Sequence, residues 1–122
     1  MKADPVLKSI CDELSGKHGC HTIILYGSRA KGEETVTSDY DVMGVRDSGE
    51  VFRDARQWNG VYLDLFVYPE SKISQADESM LHMRGGRVLL QKDDLGDRFL
   101  QSLEDIFQKG PKRLPPDEIV AL

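Results

Sequence analysis

The sequence predicts one α+β domain, a small mixed β-sheet flanked by helices. Apolar residues repeat at helical spacing near both ends of the chain, and short, nearly continuous apolar runs lie between them. Runs of that kind are typical of strands that are buried on both faces. With 122 residues, of which 39% are hydrophobic and 30% charged, the chain has the size and composition of a single soluble globular domain.

The first helix is predicted from its two ends. Asp4 and Pro5 form an N-cap and a first helical residue, and Gly16 and Gly19 are expected to end the helix. Apolar residues between them form one helical stripe: Val6, Leu7, Ile10, Cys11 and Leu14. A buried strand over residues 21–26 is expected to follow.

The middle of the chain is predicted to form a turn and two further strands. Gly27-Ser28 should lead into a short helical segment, Arg29 to Lys31. Strands are predicted over residues 40–46 and 61–68, and the second of these is the most apolar stretch of the chain. Residues 50–58 are compatible with a strand extension or with part of a hairpin, and the sequence leaves that choice open.

The last part of the predicted domain alternates helix, strand and helix. Ser71 or Ser74 can cap a helix that runs to about Met83, and a short strand is expected over residues 88–91. A final helix should begin at Asp94. Its expected buried side comprises Phe99, Leu100, Leu103, Ile106 and Phe107. We therefore assign residues 1–110 to the domain and residues 111–122 to a linker that leads into a possible truncated helical region.

Three carboxylates are the candidate catalytic residues. Asp39 and Asp41 stand two residues apart at the start of a strand, so their side chains point to the same face. Asp64 lies in the middle of an apolar strand, where a charge is costly without compensation. If the two strands are neighbours, the three carboxylates converge, and such a cluster favours hard divalent cations such as Mg²⁺ or Mn²⁺.

A second feature could bind phosphate. Gly27 permits close approach of the backbone to a ligand, and the hydroxyl of Ser28 can donate to phosphate oxygens. The short segment after them would offer N–H groups and a positive dipole end. A phosphate-binding turn beside a carboxylate cluster is suited to phosphoryl or nucleotidyl transfer.

Together, these residues resemble the signature of the polymerase-β-type nucleotidyltransferase superfamily, in particular its minimal and antibiotic nucleotidyltransferases. The stretches that carry the resemblance are Leu25-Tyr26-Gly27-Ser28-Arg29-Ala30-Lys31-Gly32, then Ser38-Asp39-Tyr40-Asp41, then Leu63-Asp64-Leu65. The resemblance implies the nucleotidyltransferase fold and transfer of a nucleoside monophosphate from an NTP, with ATP favoured, to a hydroxyl of a protein or small molecule. Pyrophosphate would be released.

The resemblance also implies roles for individual residues. Asp39, Asp41 and Asp64 would hold two Mg²⁺ ions, or Mn²⁺, and Asp64 would also help to deprotonate the acceptor hydroxyl. The triphosphate would be bound by Gly27 and Ser28, and the set assigned to the nucleotide also contains Arg29 and Ser38.

Some of these residues are also compatible with purely structural roles. Asp64 could be a strand carboxylate paired with Arg53 or Arg56, and Arg29 could form an ion pair with a neighbouring glutamate. At the level of function, the alternative to an enzyme is an antitoxin-like or regulatory subunit that binds a helical partner protein, with or without nucleotide turnover. A nucleotide-binding module without turnover is a third possibility.

The net charge and the cysteine content indicate which binding partners and which cellular compartment to expect. Sixteen Lys and Arg against 21 Asp and Glu give a net charge of −5, so a long nucleic acid is an unfavourable partner. Cys11 and Cys20 are expected to be free thiols and not to form a zinc site with His18 and His21. No signal peptide or membrane span is indicated, and a cytoplasmic location without membrane attachment is expected.

Overall fold

The computed structural model describes residues 4–33, 35, 38–58 and 60–110, and these form a five-stranded sheet with helices on both faces. The first elements are α1 (Pro5–His18), β1 (Thr22–Tyr26), β2 (Tyr40–Arg46), β3 (Phe52–Trp58) and β4 (Val61–Pro69). The later elements are α2 (Glu70–Ile73), a 3₁₀ helix (Glu78–Met83), β5 (Arg87–Leu90) and α3 (Leu95–Lys109). The predicted linker and helix start at 111–122 lie outside the described residues.

The sheet is mixed, with strand order β3-β4-β2-β1-β5. Strands β2 and β4 run parallel, whereas the other three pairs are antiparallel. The α+β fold class predicted from the sequence is therefore confirmed. The stretch at residues 50–58, for which the sequence allows two structures, forms edge strand β3, which pairs with β4 as a hairpin. Strand β4 then lies beside β2, as the convergence of the carboxylates requires.

Helix α1 forms where its capping residues predict it. The side chain of Asp4 accepts hydrogen bonds from the backbone N–H groups of Val6 and Leu7, at 3.0 and 3.1 Å. Gly19 ends the helix with a left-handed φ of 70°. Gly16 lies inside the helix and does not end it. The apolar stripe packs onto one face of the sheet, where the buried residues include Ile10 and Leu14.

Two predicted helices are wrong. The segment after Gly27 is a series of turns, because Ser28 O accepts from both Lys31 N and Glu33 N, and Gly32 turns the chain with a φ of 73°. The helix expected from Ser71 or Ser74 to Met83 breaks into α2 and the 3₁₀ helix. Asp77 causes the break: its backbone is extended, and its side chain accepts from Ser79 N at 2.9 Å, so it caps a new helix start.

The core has two layers, one on each face of the sheet. Helix α1 packs on one face, and α3 with the 3₁₀ helix packs on the other. Phe99 and Leu103 of α3 are buried as predicted, but Phe107 is 50% exposed. The guanidinium of Arg84 lies 3.5 Å from the centre of the Phe107 ring and covers one face of it.

The helices in the described part of the chain are all too short or too polar to cross a membrane.

Candidate active site

The register of the two parallel strands brings two of the predicted carboxylates together. Asp41 of β2 is the direct neighbour of Asp64 of β4. Both side chains point to the face that α3 covers, since Tyr40, Val42, Leu63 and Leu65 all belong to the opposite layer. Asp39, two residues before Asp41, precedes the strand and is exposed.

The turn after β1 closes over Asp41. Tyr26, the last residue of β1, pairs with Asp41 across the antiparallel ladder, so Gly27 follows directly above the carboxylate. A Cβ on Gly27 would lie 2.5 Å from Asp41 Oδ2, and the φ of Gly27 is 77°. Both the space and the backbone conformation therefore require glycine at this position. The sequence predicts that the backbone at Gly27 approaches a ligand closely. In the structure, the nearest side chain to a Cβ built on Gly27 is that of Asp41.

Asp41 is in an environment that disfavours its charge. Burial, followed by the charges of Asp64 and Asp39, raises the pKa of the Asp41 carboxyl, and His82 opposes the shift. No hydrogen bond or ion pair engages this carboxylate among the residues described. Burial, followed by the charges of Asp41 and Asp64, raises the pKa of Tyr26. A bound cation would relieve this repulsion, so the donor set fits a divalent metal.

Asp64 has a cationic partner. Its Oδ1 accepts from Arg53 Nε at 2.8 Å and its Oδ2 from the terminal nitrogen of the same guanidinium at 3.0 Å. Arg53 belongs to edge strand β3, and its side chain is 53% exposed, whereas that of Asp64 is 18% exposed. This is the structural pairing that the sequence allows for Asp64. Because one partner is largely in solvent, the pair contributes little to stability and can open.

The three carboxylates do not form a compact ligand set. In the described part of the chain, one group of His, Cys, Asp and Glu residues brings three ligand atoms within 4.8 Å of one another. That group consists of His21, Asp47 and Glu70. It lies near the opposite end of the strands, because His21 precedes β1 whereas Tyr26 ends it. The predicted catalytic acids are therefore close enough to interact electrostatically, but their ligand oxygens do not all lie within 4.8 Å of one another.

The remaining predicted nucleotide-binding residues divide into two groups. Ser28 is half-buried, and no hydrogen bond among the described residues engages its hydroxyl or its backbone N–H. Arg29 instead donates from Nε and a terminal nitrogen to Ser38 O, at 3.1 and 2.9 Å, and its guanidinium lies 3.9 Å from the centre of the Tyr40 ring. The hydroxyl of Ser38 accepts from Thr35 N at 2.8 Å. Arg29 and Ser38 thus hold the loop that leads to Asp39.

Two residues near the acids are not predicted from the sequence. His82, for which no local pattern indicates this position, has its ring edge-on to Tyr26 at 5.6 Å between centres, and it affects the pKa of Asp41. Its Nδ1 lies 3.0 Å from Ser79 O. Tyr26 belongs to the quoted motif, but the resemblance implies no role for it. Only the tertiary packing of the 3₁₀ helix against the end of β1 reveals this contact.

A cavity of about 610 Å³ lies away from these acids. It is lined by Glu70, Ser71, Ile73, Ser74, Leu95, Arg98, Phe99 and Ser102, between α2 and α3. None of the predicted site residues belongs to this lining. The cavity is therefore not evidence for the candidate active site, whose case rests on strand register and charge.

The fold is similar to that of solved structures, among them a nucleotidyltransferase-like protein. A crystal structure of a nucleotidyltransferase-like protein from Exiguobacterium sibiricum 255-15 superposes with a TM-score of 0.56 and 12% sequence identity. The match covers 80% of this chain but only 38% of the other protein. No protein-family model and no curated protein matches the sequence. The chain has a nucleotidyltransferase-type fold.

Proposed function

We propose that this protein is a metal-dependent nucleotidyltransferase of the polymerase-β type. It would bind an NTP at the sheet end formed by Gly27, Asp39, Asp41 and Asp64, and transfer the nucleoside monophosphate to a hydroxyl. The observation that carries the proposal is the carboxylate of Asp41, which lies under Gly27 and beside Asp64 on the adjacent parallel strand. The nucleotidyltransferase-type fold supports it.

The reaction can be assigned to residues of this chain. The acceptor hydroxyl oxygen would form a bond to the α-phosphorus, and the bond from that phosphorus to the leaving pyrophosphate would break. The hydroxyl proton would pass to the carboxylate of Asp64. Bound Mg²⁺ or Mn²⁺ would lower the pKa of the hydroxyl and neutralise the triphosphate. Asp39 and Asp41 would hold two such ions, and Asp64 would complete one of the sites.

The proposed roles of the loop residues differ from those implied by resemblance. Ser28 is the better triphosphate ligand, because its hydroxyl and N–H are not engaged by the described residues. Arg29 is better suited to position Asp39, because its guanidinium already bonds Ser38 O and packs on Tyr40. A positioning role for Arg29 predicts that its loss lowers the rate of transfer more than it lowers the affinity for the nucleotide bound with Mg²⁺.

A second candidate function is favoured by one contact. The two hydrogen bonds from Arg53 to Asp64 place a guanidinium on the carboxylate that would otherwise bind a metal ion. If that pair persists when nucleotide binds, the protein would bind NTP without turnover. It would then serve as a regulatory, antitoxin-like subunit for a helical partner, or for a helical region that follows residue 110. Release of pyrophosphate distinguishes the two candidates.

The experiment uses ATP labelled at either the α- or the γ-phosphate, with Mg²⁺ and a panel of protein and small-molecule hydroxyl acceptors. Nucleotidyl transfer predicts that only the α-label reaches an acceptor and that Asp39→Asn abolishes the transfer. Asp54→Asn is the matched control, because Asp54 of β3 pairs in register with Leu65 and so faces the other layer. Transfer of the γ-label, or α-label transfer that persists in Asp39→Asn, would overturn the proposal.

The identity of the donor nucleotide is part of the proposal and does not follow from the fold. ATP is proposed as the donor from the resemblance alone. The net charge of −5 supports a nucleotide and its metal ions over a long nucleic acid as ligand. Competition of unlabelled ATP, GTP, CTP and UTP against the labelled donor measures nucleotide choice directly.

A further inference from the structure

A group of ionisable side chains lies near the end of the strands opposite to Asp41. His21 precedes β1, Asp47 follows β2, and Glu70 begins α2 directly after β4. His21 Nε2 lies 3.3 Å from Asp47 Oδ1 and 3.6 Å from Glu70 Oε2. These three atoms come from segments that are far apart in sequence but adjacent in the fold.

The imidazole of His21 is fixed through its other nitrogen. His21 Nδ1 lies 2.9 Å from Thr22 Oγ1, and Thr22 is fully buried. The same Oγ1 accepts a hydrogen bond from Lys92 N at 3.1 Å, so its position is set by the backbone of the segment after β5. An Nδ1–H that donates to this oxygen leaves Nε2 with its lone pair directed at the carboxylates. Metal-binding histidines are commonly oriented in this way.

The contacts of Nε2 do not have the geometry of hydrogen bonds. Nε2 is buried and has no hydrogen-bond partner among the described residues, although two carboxylate oxygens lie within 3.6 Å. A protonated Nε2–H would be expected to donate to one of them. In a tetrahedral site with bonds of about 2.0–2.1 Å, neighbouring ligand atoms lie about 3.3–3.4 Å apart. The separations of 3.3 and 3.6 Å are therefore close to those between two ligands of one metal ion.

Lys92 is the cation that now faces these acids. Its Nζ lies 3.7 Å from Asp47 Oδ1 and 3.6 Å from Glu70 Oε2, outside hydrogen-bonding distance. The side chain is 49% exposed on a flexible stem, so it can move away without disturbing the core. Two carboxylates and one ammonium leave one negative charge beside the imidazole, which a divalent ion would offset.

We propose that His21, Asp47 and Glu70 form a binding site for a divalent transition metal of the zinc type, separate from the candidate active site. One nitrogen and two oxygens are the ligands, and imidazole nitrogen favours Zn²⁺ or Co²⁺ over Mg²⁺. The ion would join the start of β1, the loop after β2 and the start of α2. The side chain of Asp47 is 77% exposed, which gives the site a route to solvent.

Titration of the purified chain with Co²⁺, followed by visible absorption, tests this proposal, and calorimetry with Zn²⁺ measures the affinity. We expect one tight site per chain, with affinity reduced at least about tenfold in His21→Ala and in Glu70→Gln. Glu70→Gln is included because it preserves shape if loss of the imidazole impairs folding. His18→Ala is the matched control, because the His18 ring packs on Phe52 outside this group.

Two further measurements distinguish this site from the candidate active site and from a metal bound by cysteine. Asp41→Asn should retain the tight Co²⁺ site that His21→Ala loses, and any weaker binding lost in Asp41→Asn belongs to the candidate active site, so failure of the nucleotidyltransferase proposal leaves this one intact. Added Zn²⁺ should raise the melting temperature of the unaltered chain but not that of His21→Ala. Binding that is unchanged in both ligand variants would overturn the proposal. So would absence of binding at about 1 mM metal, or a thiolate charge-transfer band that assigns the metal to Cys20.

Discussion

The two ends of the sheet handle acidic side chains in different ways. At the Asp41 end, neighbouring parallel strands place like charges side by side, and a glycine backbone approaches the same carboxylate. At the His21 end, two acids meet an imidazole and an ammonium, so charges of both signs are present. In the first arrangement Arg53 pairs with Asp64 but Asp41 has no cationic partner among the described residues, whereas in the second both acids lie near one ammonium. Uncompensated charge of the first kind is typical of functional sites.

The largest effect is expected from filling the space above Asp41. Gly27→Ala would place a Cβ against Asp41 Oδ2 at a left-handed φ, and we expect it to abolish nucleotide binding. The backbone strain alone should lower the free energy of unfolding by about 1–3 kcal/mol. Urea unfolding and titration with a non-hydrolysable ATP analogue measure the two effects.

Gly32→Ala is the control for that strain. Gly32 has a φ of 73°, close to that of Gly27, but nothing lies within 4 Å of a Cβ built on it. It should therefore lose stability but retain most nucleotide binding. Equal loss of binding in both variants would show that the contact with Asp41 has no special role.

An intermediate effect is expected from releasing Asp64. Arg53→Gln removes both hydrogen bonds to the Asp64 carboxylate, and we expect Mn²⁺ to bind at the Asp41 end with up to about fivefold higher affinity, the range of an exposed ion pair. Calorimetric titration with Mn²⁺ in the His21→Ala background avoids interference from the other end. Arg56→Gln is the control, because Arg56 pairs with Glu13. A lower metal affinity in Arg53→Gln would instead identify Arg53 as part of the working site.

The smallest effect is expected in the stability of Asp41→Asn. Folding raises the pKa of Asp41 above its usual 3.8, so ionised Asp41 destabilises the folded chain at neutral pH. Without metal, Asp41→Asn should therefore be more stable than the unaltered chain at pH 7. The difference should shrink as the pH falls through the raised pKa, because the carboxyl then becomes neutral. Thermal unfolding from pH 3 to pH 7 measures this, and a variant that is less stable at pH 7 would contradict it.

The sequence predicted one end of the sheet better than the other for a physical reason. Gly27, Asp39 and Asp41 lie within one short stretch, and the alternation of side chains along a strand places the two acids on one face. Asp64 could be added because an acid in an apolar strand is costly, and the strand order then placed it beside Asp41. These inferences needed only local rules and one assumption about strand adjacency.

The arrangement at the other end follows from tertiary packing, which local rules do not describe. His21 meets Asp47 and Glu70 only because the start of β1 and the ends of β2 and β4 coincide in the folded sheet. The pairing of Arg53 with Asp64 also depends on the hairpin, which the sequence does not decide. Asp77 ends a predicted helix through a side-chain cap that competes with helix continuation. The first two contacts join segments that are distant in sequence, whereas the cap at Asp77 is a local contact with Ser79.

The central claim is that the Asp41 end binds a nucleotide through divalent cations. Calorimetric titration of the chain with a non-hydrolysable ATP analogue, with and without Mg²⁺, tests it most directly. We predict binding that requires Mg²⁺, falls at least about tenfold in Asp41→Asn, and is unchanged in Asp54→Asn. Binding that is equally strong without Mg²⁺, or in Asp41→Asn, would contradict this claim.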